Sequence, residues 1–209
     1  MKWLTIFNTV AVLSIIVFIG YIYFSMVAGR NPGRQGDQAK AKHVDMTPLL
    51  SGAQSMGAQN PKVNIVVFNS FTCGFCKKSS EVLHQLVQKY PDKVRVVYRH
   101  FNRNEVDVVA ANAVECAGDQ HKFWQMYDQI FSDHSNSFNY KSYAKNIGIH
   151  SDQFDKCMTS NKYVSKTKSD SEMGHTLGVQ GTPTFVINGE VVVGYRPFET
   201  FESMIKKSL

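Results

Sequence analysis

Three observations predict an α/β fold: a small mixed central sheet flanked by helices, with an inserted helical subdomain. The β-branched run "KVNIVVF" (62–68) is followed by a helical stretch and then by a second strand-like run. That β–α–β order needs a crossover, so the two strands pair in parallel. Residues 105–178 carry helical spacing throughout. After them, "TPTFVI" and "EVVVGY" are joined by Asn188-Gly189, a two-residue hairpin signal, and an amphipathic helix closes the chain.

The N-terminus precedes this domain. Residues 4–28 form a run of 25 without a charge, and about 20 apolar residues span a bilayer. Lys2 and Arg30 flank the run, and Trp3, Tyr21 and Tyr23 lie towards its ends, where amphipathic rings favour the headgroup layer. Residues 1–28 therefore read as one transmembrane helix anchored in membrane lipid. The competing reading is a cleaved signal peptide. Its apolar region runs about 7–15 residues before an Ala-x-Ala-like site, and Val27-Ala28-Gly29 matches that only weakly. A simple count, Lys2 against Arg30, Arg34, Lys40 and Lys42, would put the C-terminal side in the cytoplasm, but long following domains often translocate regardless of such charges, so the chemistry of the domain must break the tie. Residues 29–60 are rich in Gly, Gln, Ala and Ser and read as a tether, with one short ordered piece near residues 46–50.

The domain itself is expected over 61–209. "KVNIVVF" suits a strand buried on both faces. "FNSFTCGFC" is a tight connection into "KKSSEVLHQLVQKY", which sets Val82, Leu83, Leu86, Val87 and Tyr90 on one helical face before Pro91-Asp92 ends it. "KVRVVYRHF" (93–101) alternates as the second strand. "VVAANAVECA", "HKFWQMYDQIF", "YKSYAKNIGI" and "SDQFDKCM" supply the helical insertion, about 105–178. Pro197 suits the first turn of the closing helix. The net charge is +6, shared as +3 before residue 61 and +3 after it. No basic stripe forms, so nucleic acid is not an expected partner.

Chemistry is expected at the strand–turn–helix corner, where Cys73 and Cys76 flank Gly74-Phe75. A structural metal site needs four ligands. Cys116 and Cys157 are isolated in sequence, and the seven histidines show no helical pairing, so no metal is assigned. A redox pair fits the strand–turn–helix context better, both than a metal site and than the alternative of two small buried apolar side chains. A free thiol, pKa about 8.5, is mostly protonated at neutral pH. At a helix N-terminus Cys73 meets unpaired N–H groups and the positive end of the dipole, both of which favour the thiolate. Lys77 and Lys78 add positive charge. Cys76, one turn deeper, is shielded and suited to resolve a mixed disulfide formed at Cys73. Gly181-Thr182-Pro183 precedes a strand, which fits either a cis bond in a tight turn or an ordinary trans proline opening the strand.

Together "FTCGFC", "CAGDQHKFWQMYDQIF" (116–131), "GVQGTPTFVINGE" (178–190) and "GYRPFETF" (194–201), in this order, resemble the bacterial DsbA-like thiol:disulfide oxidoreductases, which have the thioredoxin fold. The likeness covers about residues 60–209. It implies that Cys73 attacks, that Cys76 is its partner, and that Pro183 is a cis-proline. It also implies substrate contacts from Phe75, Thr182 and Pro183, no cofactor, and an oxidising compartment. The chain is then a single-pass inner-membrane protein with its catalytic domain in the periplasm, or a periplasmic or secreted protein if the N-terminus is cleaved. Two departures from the family pattern imply a milder oxidant. Gly74-Phe75 stands where the strongest oxidants have Pro-His, and Val67 stands where relatives place an acid that takes the resolving thiol's proton. In the implied compartment an even cysteine count favours pairing, and relatives of this pattern carry cysteines at both remaining places. A structural Cys116–Cys157 disulfide is therefore expected.

The expected function is disulfide formation or exchange in exported, cysteine-containing proteins, with a membrane redox partner recycling the pair. The alternatives are an isomerase or reductase of the same fold, a non-catalytic peptide-binding module and a metal carrier.

Overall fold

The computed structural model describes residues 17–25, 43–133 and 137–209. The chain divides into two units, Met1–Lys40 and Ala41–Leu209. In the first, residues 17–25 are helical and expose Val17, Phe18, Ile19 and Phe24. The expected span over residues 4–28 thus lies largely outside the described residues. Among the described residues no helix is long and apolar enough to cross a membrane.

The second unit runs α1 (Thr47–Leu50), β1 (Gln54–Gly57), β2 (Val63–Asn69), α2 (Gly74–Lys89), β3 (Val94–His100), α3 (Glu105–Gly118), α4 (Phe123–Ser132), α5 (Tyr140–Asn146), α6 (Ser151–Thr159), α7 (Val164–Thr176), β4 (Thr184–Ile187), β5 (Glu190–Val193) and α8 (Phe198–Lys206). The five strands form one sheet in the order β1-β3-β2-β4-β5. β2 and β3 are parallel, with Val63 opposite Val94 and Asn69 opposite His100. The other three pairings are antiparallel. This is the expected mixed sheet with α3 to α7 inserted between β3 and β4. Asn188 and Gly189 both have positive φ, 45° and 93°, the two-residue turn that matches the twist of β4 and β5.

β1 is the addition. It lies inside the stretch read as tether, yet it pairs residue by residue with β3, from Gln54 opposite Tyr98 to Gly57 opposite Arg95. Just before it, Leu49 is buried and the Val44 N–H donates to the Gly189 carbonyl at 2.9 Å. The ordered domain therefore starts well ahead of residue 61. "QSMG" has no β-branched residue to mark it, and the strand forms because β3 presents an unpaired edge.

Each face of the sheet carries its own core. Ile65, Val67, Val96, Tyr98 and Phe185 pack with α2, α8 and the helical insertion, and Cys73 and Cys76 belong to this cluster. On the other face Val66, Phe68, Val97 and Val186 pack with Leu49, Phe101 and Val179. β2 is buried on both sides, as its composition predicts. The alternation expected of β3 is not kept: from Val96 to His100 every residue is buried, because β3 is interior and covered on both faces. Its polar residues are paired. Arg99 donates to Asp170 at 2.6 Å and to the carbonyls of Pro48, Leu49 and Ser51, while His100 meets Glu115 at 3.0 Å. In the insertion, Cys116 of α3 and Cys157 of α6 are joined by a disulfide, with Cα atoms 5.7 Å apart across 41 positions of sequence.

Candidate active site

β2 delivers the chain to the corner, and four residues after it ends the chain becomes α2. Cys73 occupies the N-cap position, with extended backbone (φ −97°, ψ 114°) and no capping hydrogen bond from its side chain. An N-cap side chain normally satisfies the first free N–H groups of the helix. Here a sulfur stands in that place, and no acidic residue lies in the first turn to compete with it.

The two thiols are free, and they differ sharply. Cys73 is pulled down to a pKa of about 5. The main cause is a hydrogen bond from the Cys76 thiol. The Thr182 side chain and the N–H groups of Cys76 and Phe75 add to it, against the opposing effect of partial burial. Cys76 is fully buried, and its pKa is pushed far up, first by burial and then by the hydrogen bond it gives to Cys73. The activation of Cys73 is thus local hydrogen bonding. The lysines expected to supply charge are turned to other work: Lys77 Nζ reaches the Ser132 carbonyl at 3.4 Å, and Lys78 Nζ stands 5.7 Å over the Phe75 ring.

The second motif arrives from β4. The Thr182-Pro183 bond is cis, which resolves the two readings open from spacing. The Thr182 carbonyl lies 3.3 Å from Cys73 Sγ. The Thr182 hydroxyl is buried without a hydrogen-bond partner at ordinary distance, and its side chain favours the charged form of both sulfurs. The Pro183 carbonyl is taken by the Gly194 N–H at 2.8 Å. Phe75 is 59% exposed beside the pair. Its ring stacks on Tyr195 with centroids 6.4 Å apart, which leaves an aromatic platform next to Cys73. On the other side of Cys73 a cleft of about 140 Å³ is lined by Phe71, Thr72, Lys77 and Phe131. A larger cleft of about 470 Å³ lies in the insertion, between Phe138, Tyr140 and Phe154, and includes neither cysteine of the pair. Among the described residues no group of three or more His, Cys, Asp or Glu is placed to hold a metal ion.

Sequence reasoning brings Cys73, Cys76, Phe75, Thr182 and Pro183 together as the structure does, and keeps Cys116 and Cys157 apart from them. It misses Tyr195, whose role depends on the hairpin's approach. It also misses Asp107, whose carboxylate accepts hydrogen bonds from Ser70 and Thr72, directly before Cys73. The one sequence trace of Asp107 is the helix-start pattern Asn104-x-x-Asp107.

A family model described as thioredoxin matches residues 51–207. Over 139 residues the chain is 28% identical to a Na(+)/H(+) antiporter NhaA 1 of Salinispora arenicola (strain CNS-205), covering 64% of this chain and 21% of that protein. The chain therefore spans about a fifth of that relative's length. Over 213 residues it is 26% identical to the probable disulfide bond formation protein D of Bacillus anthracis, covering 94% of this chain and 92% of the relative. Among solved structures, the thiol-disulfide exchange protein alpha-DsbA2 from Wolbachia pipientis is similar in fold, with a TM-score of 0.69 and 22% identity over 78% of this chain and 91% of that one.

Proposed function

The chain belongs to the thioredoxin family, and on that premise we propose that it is a thiol–disulfide oxidoreductase working through Cys73 and Cys76. One observation carries the reading. Two sulfurs one helical turn apart have opposite tendencies, Cys73 to the thiolate and Cys76 to the protonated thiol. A structural pair has no use for that difference, whereas thiol–disulfide exchange needs one good nucleophile and leaving group beside a shielded partner.

In the oxidising direction a substrate thiolate attacks Cys73 Sγ of the Cys73-Cys76 disulfide. The substrate–Cys73 bond forms, the bond to Cys76 breaks, and Cys76 leaves and takes up a proton. A second substrate thiolate then attacks the substrate sulfur of the mixed disulfide. Cys73 departs as the thiolate, which its hydrogen bonds hold. The substrate has lost two electrons and the enzyme has gained them. Of the two substrate protons, one rests on Cys76 and one passes to solvent. The cis turn at Thr182-Pro183 lines up an extended substrate chain beside Cys73, and Phe75 offers it an apolar surface.

The substrates are exported proteins with cysteines, and a membrane redox partner reoxidises the pair. The N-terminal uncharged run anchors the chain in the inner membrane with the domain on the periplasmic side. The internal Cys116–Cys157 disulfide supports an oxidising compartment, and the likeness to a probable disulfide bond formation protein of Bacillus anthracis supports the activity.

The full-length protein in detergent tests this. It is expected to oxidise a dithiol peptide stoichiometrically and, with an oxidant supplied, catalytically. Its equilibrium with glutathione gives the direction of flux: about −120 mV marks a strong oxidant and about −270 mV a reductant of this fold. Failure to exchange disulfides with any dithiol, or a C-terminal reporter active only in the cytoplasm, would overturn the activity or the location respectively.

A further inference from the structure

We propose that Asp107 is the positioning residue of the redox corner: its carboxylate fixes the turn over residues 70–72 and thereby sets the reactivity of Cys73. The proposal rests on the reading of Cys73 as the nucleophile.

Asp107 belongs to α3, the first helix of the insertion, and is fully buried. It accepts four hydrogen bonds: from the Thr72 N–H at 2.9 Å, from Ser70 Oγ at 2.8 Å, from Thr72 Oγ1 at 3.3 Å and from the Arg103 N–H at 3.0 Å. Three of the four come from the segment that leads into Cys73. An acid at the third position of a helix ordinarily reaches back to its own N-cap. Asp107 uses its N–H for that purpose, donating to Asn104 Oδ1 at 2.9 Å, and sends its carboxylate across to the redox turn. Burying a carboxylate is costly unless hydrogen bonds replace its water. The turn supplies those bonds, so the turn and the carboxylate hold each other.

The segment is clamped from two directions. Ser70 and Thr72 face Asp107. Phe71 between them enters an aromatic cluster, with its ring centroid 5.0 Å from that of Phe131 and 5.8 Å from that of Tyr127. The turn's own backbone bond, from the Cys73 N–H to the Ser70 carbonyl, is long at 3.3 Å. Alignment of Cys73 Sγ with the donors around it therefore depends on the carboxylate, and hydrogen-bond strength falls steeply with misalignment. The hydrogen bonds to the Asp107 carboxylate come from Ser70, Thr72 and Arg103 and from neither sulfur, so it acts through the turn.

The test measures the pH dependence of Cys73 alkylation by iodoacetamide in the reduced full-length protein, together with its equilibrium with glutathione. Asp107→Ala is expected to raise the alkylation midpoint by at least one pH unit and to move the equilibrium towards the disulfide by about tenfold. Because that variant risks misfolding, Ser70→Ala with Thr72→Val is the second arm; it keeps the carboxylate and removes two of its donors, and the same direction of change is expected. Thr72→Ser, which keeps the hydroxyl, is expected to hold the wild-type midpoint. A loss of thermal stability in the double variant with unchanged midpoint and equilibrium would show Asp107 to be structural only and overturn the proposal. A wild-type midpoint at the ordinary thiol value would remove the reading of Cys73 and the proposal with it.

Discussion

The molecule holds two cysteine pairs, and they are opposites. Cys116 and Cys157 are brought together from two helices of the insertion, 41 positions apart, and are joined. Cys73 and Cys76 share one turn of one helix and stand as free thiols. Burial does not separate them, since all four residues are buried. The difference lies in the donors. Cys73 collects hydrogen bonds that favour its thiolate. Among the described residues, the polar contact of Cys116 Sγ is a distant one, 3.9 Å, with the acceptor oxygen of Asn112. Whether a cysteine is a staple or a reagent is thus decided by what is ready to stabilise its charged form.

The sharpest way to break this contrast is to remove one sulfur at a time. Cys73→Ser is expected to lower exchange with a dithiol peptide by about a thousandfold or more, as loss of a nucleophile does. Cys76→Ala is expected to leave an attacking Cys73 that accumulates as mixed disulfides, visible on non-reducing gels. Equal behaviour of the two variants, with no trapped species, would erase the asymmetry.

Next in size is the staple. Cys116→Ala with Cys157→Ala is expected to lower unfolding free energy by roughly 3–4.7 kcal/mol in the chain-entropy account, read from urea titration. Alkylation of Cys73 in the folded protein should be unchanged. Mild reductant is expected to open Cys73-Cys76 first. If both pairs open together, their difference in environment carries no weight.

The third test uses pH. In the folded, reduced protein Cys73 has a pKa of about 5, below its unfolded value. A depressed pKa adds stability that is fully present above the ordinary thiol value, about 8.5, and is lost as pH falls through about 5. Cys76, raised above the ordinary thiol range, stays protonated across this window. The protein oxidised at Cys73-Cys76 lacks the contribution. The urea midpoint of the reduced form is expected to gain on that of the oxidised form between pH 5 and 8.5, and the gain to vanish below pH 5. A difference that does not vary with pH would refute it.

Smallest is Phe75→Ala. The ring is mostly exposed, so stability is expected to move by no more than about 0.5 kcal/mol. KM for peptide substrates should rise a few-fold with kcat and the Cys73 titration unchanged. An altered titration would mean that the platform belongs to the thiolate's support and not to substrate contact.

Much of this was legible in the chain because the signals are local. The apolar run of β2, the Asn188-Gly189 turn and the spacing of Cys73 and Cys76 each sit within a few residues. What escaped depends on distant partners. β1 exists because β3 offers an edge. Arg99 and His100 carry no local sign of the partners, Asp170 and Glu115 from two helices of the insertion, that pair with them in the core. Asp107 is separated from Thr72 by 35 positions, and Tyr195 reaches Phe75 only after the hairpin folds back. Periodicity carries no information about such meetings.

Arg99 has a mechanical consequence. Its guanidinium grips the carbonyls of Pro48, Leu49 and Ser51 and is itself braced on Asp170. A pull that enters the domain at residue 43 meets the Val44 bond to the Gly189 carbonyl first and this clasp next, ahead of β1. The clasp sits on the face of β3 that carries Val97, and the redox pair lies in the core on the other face. Tension at the N-terminal end is taken up by Arg99 and the groups it holds, on the face of the sheet away from Cys73.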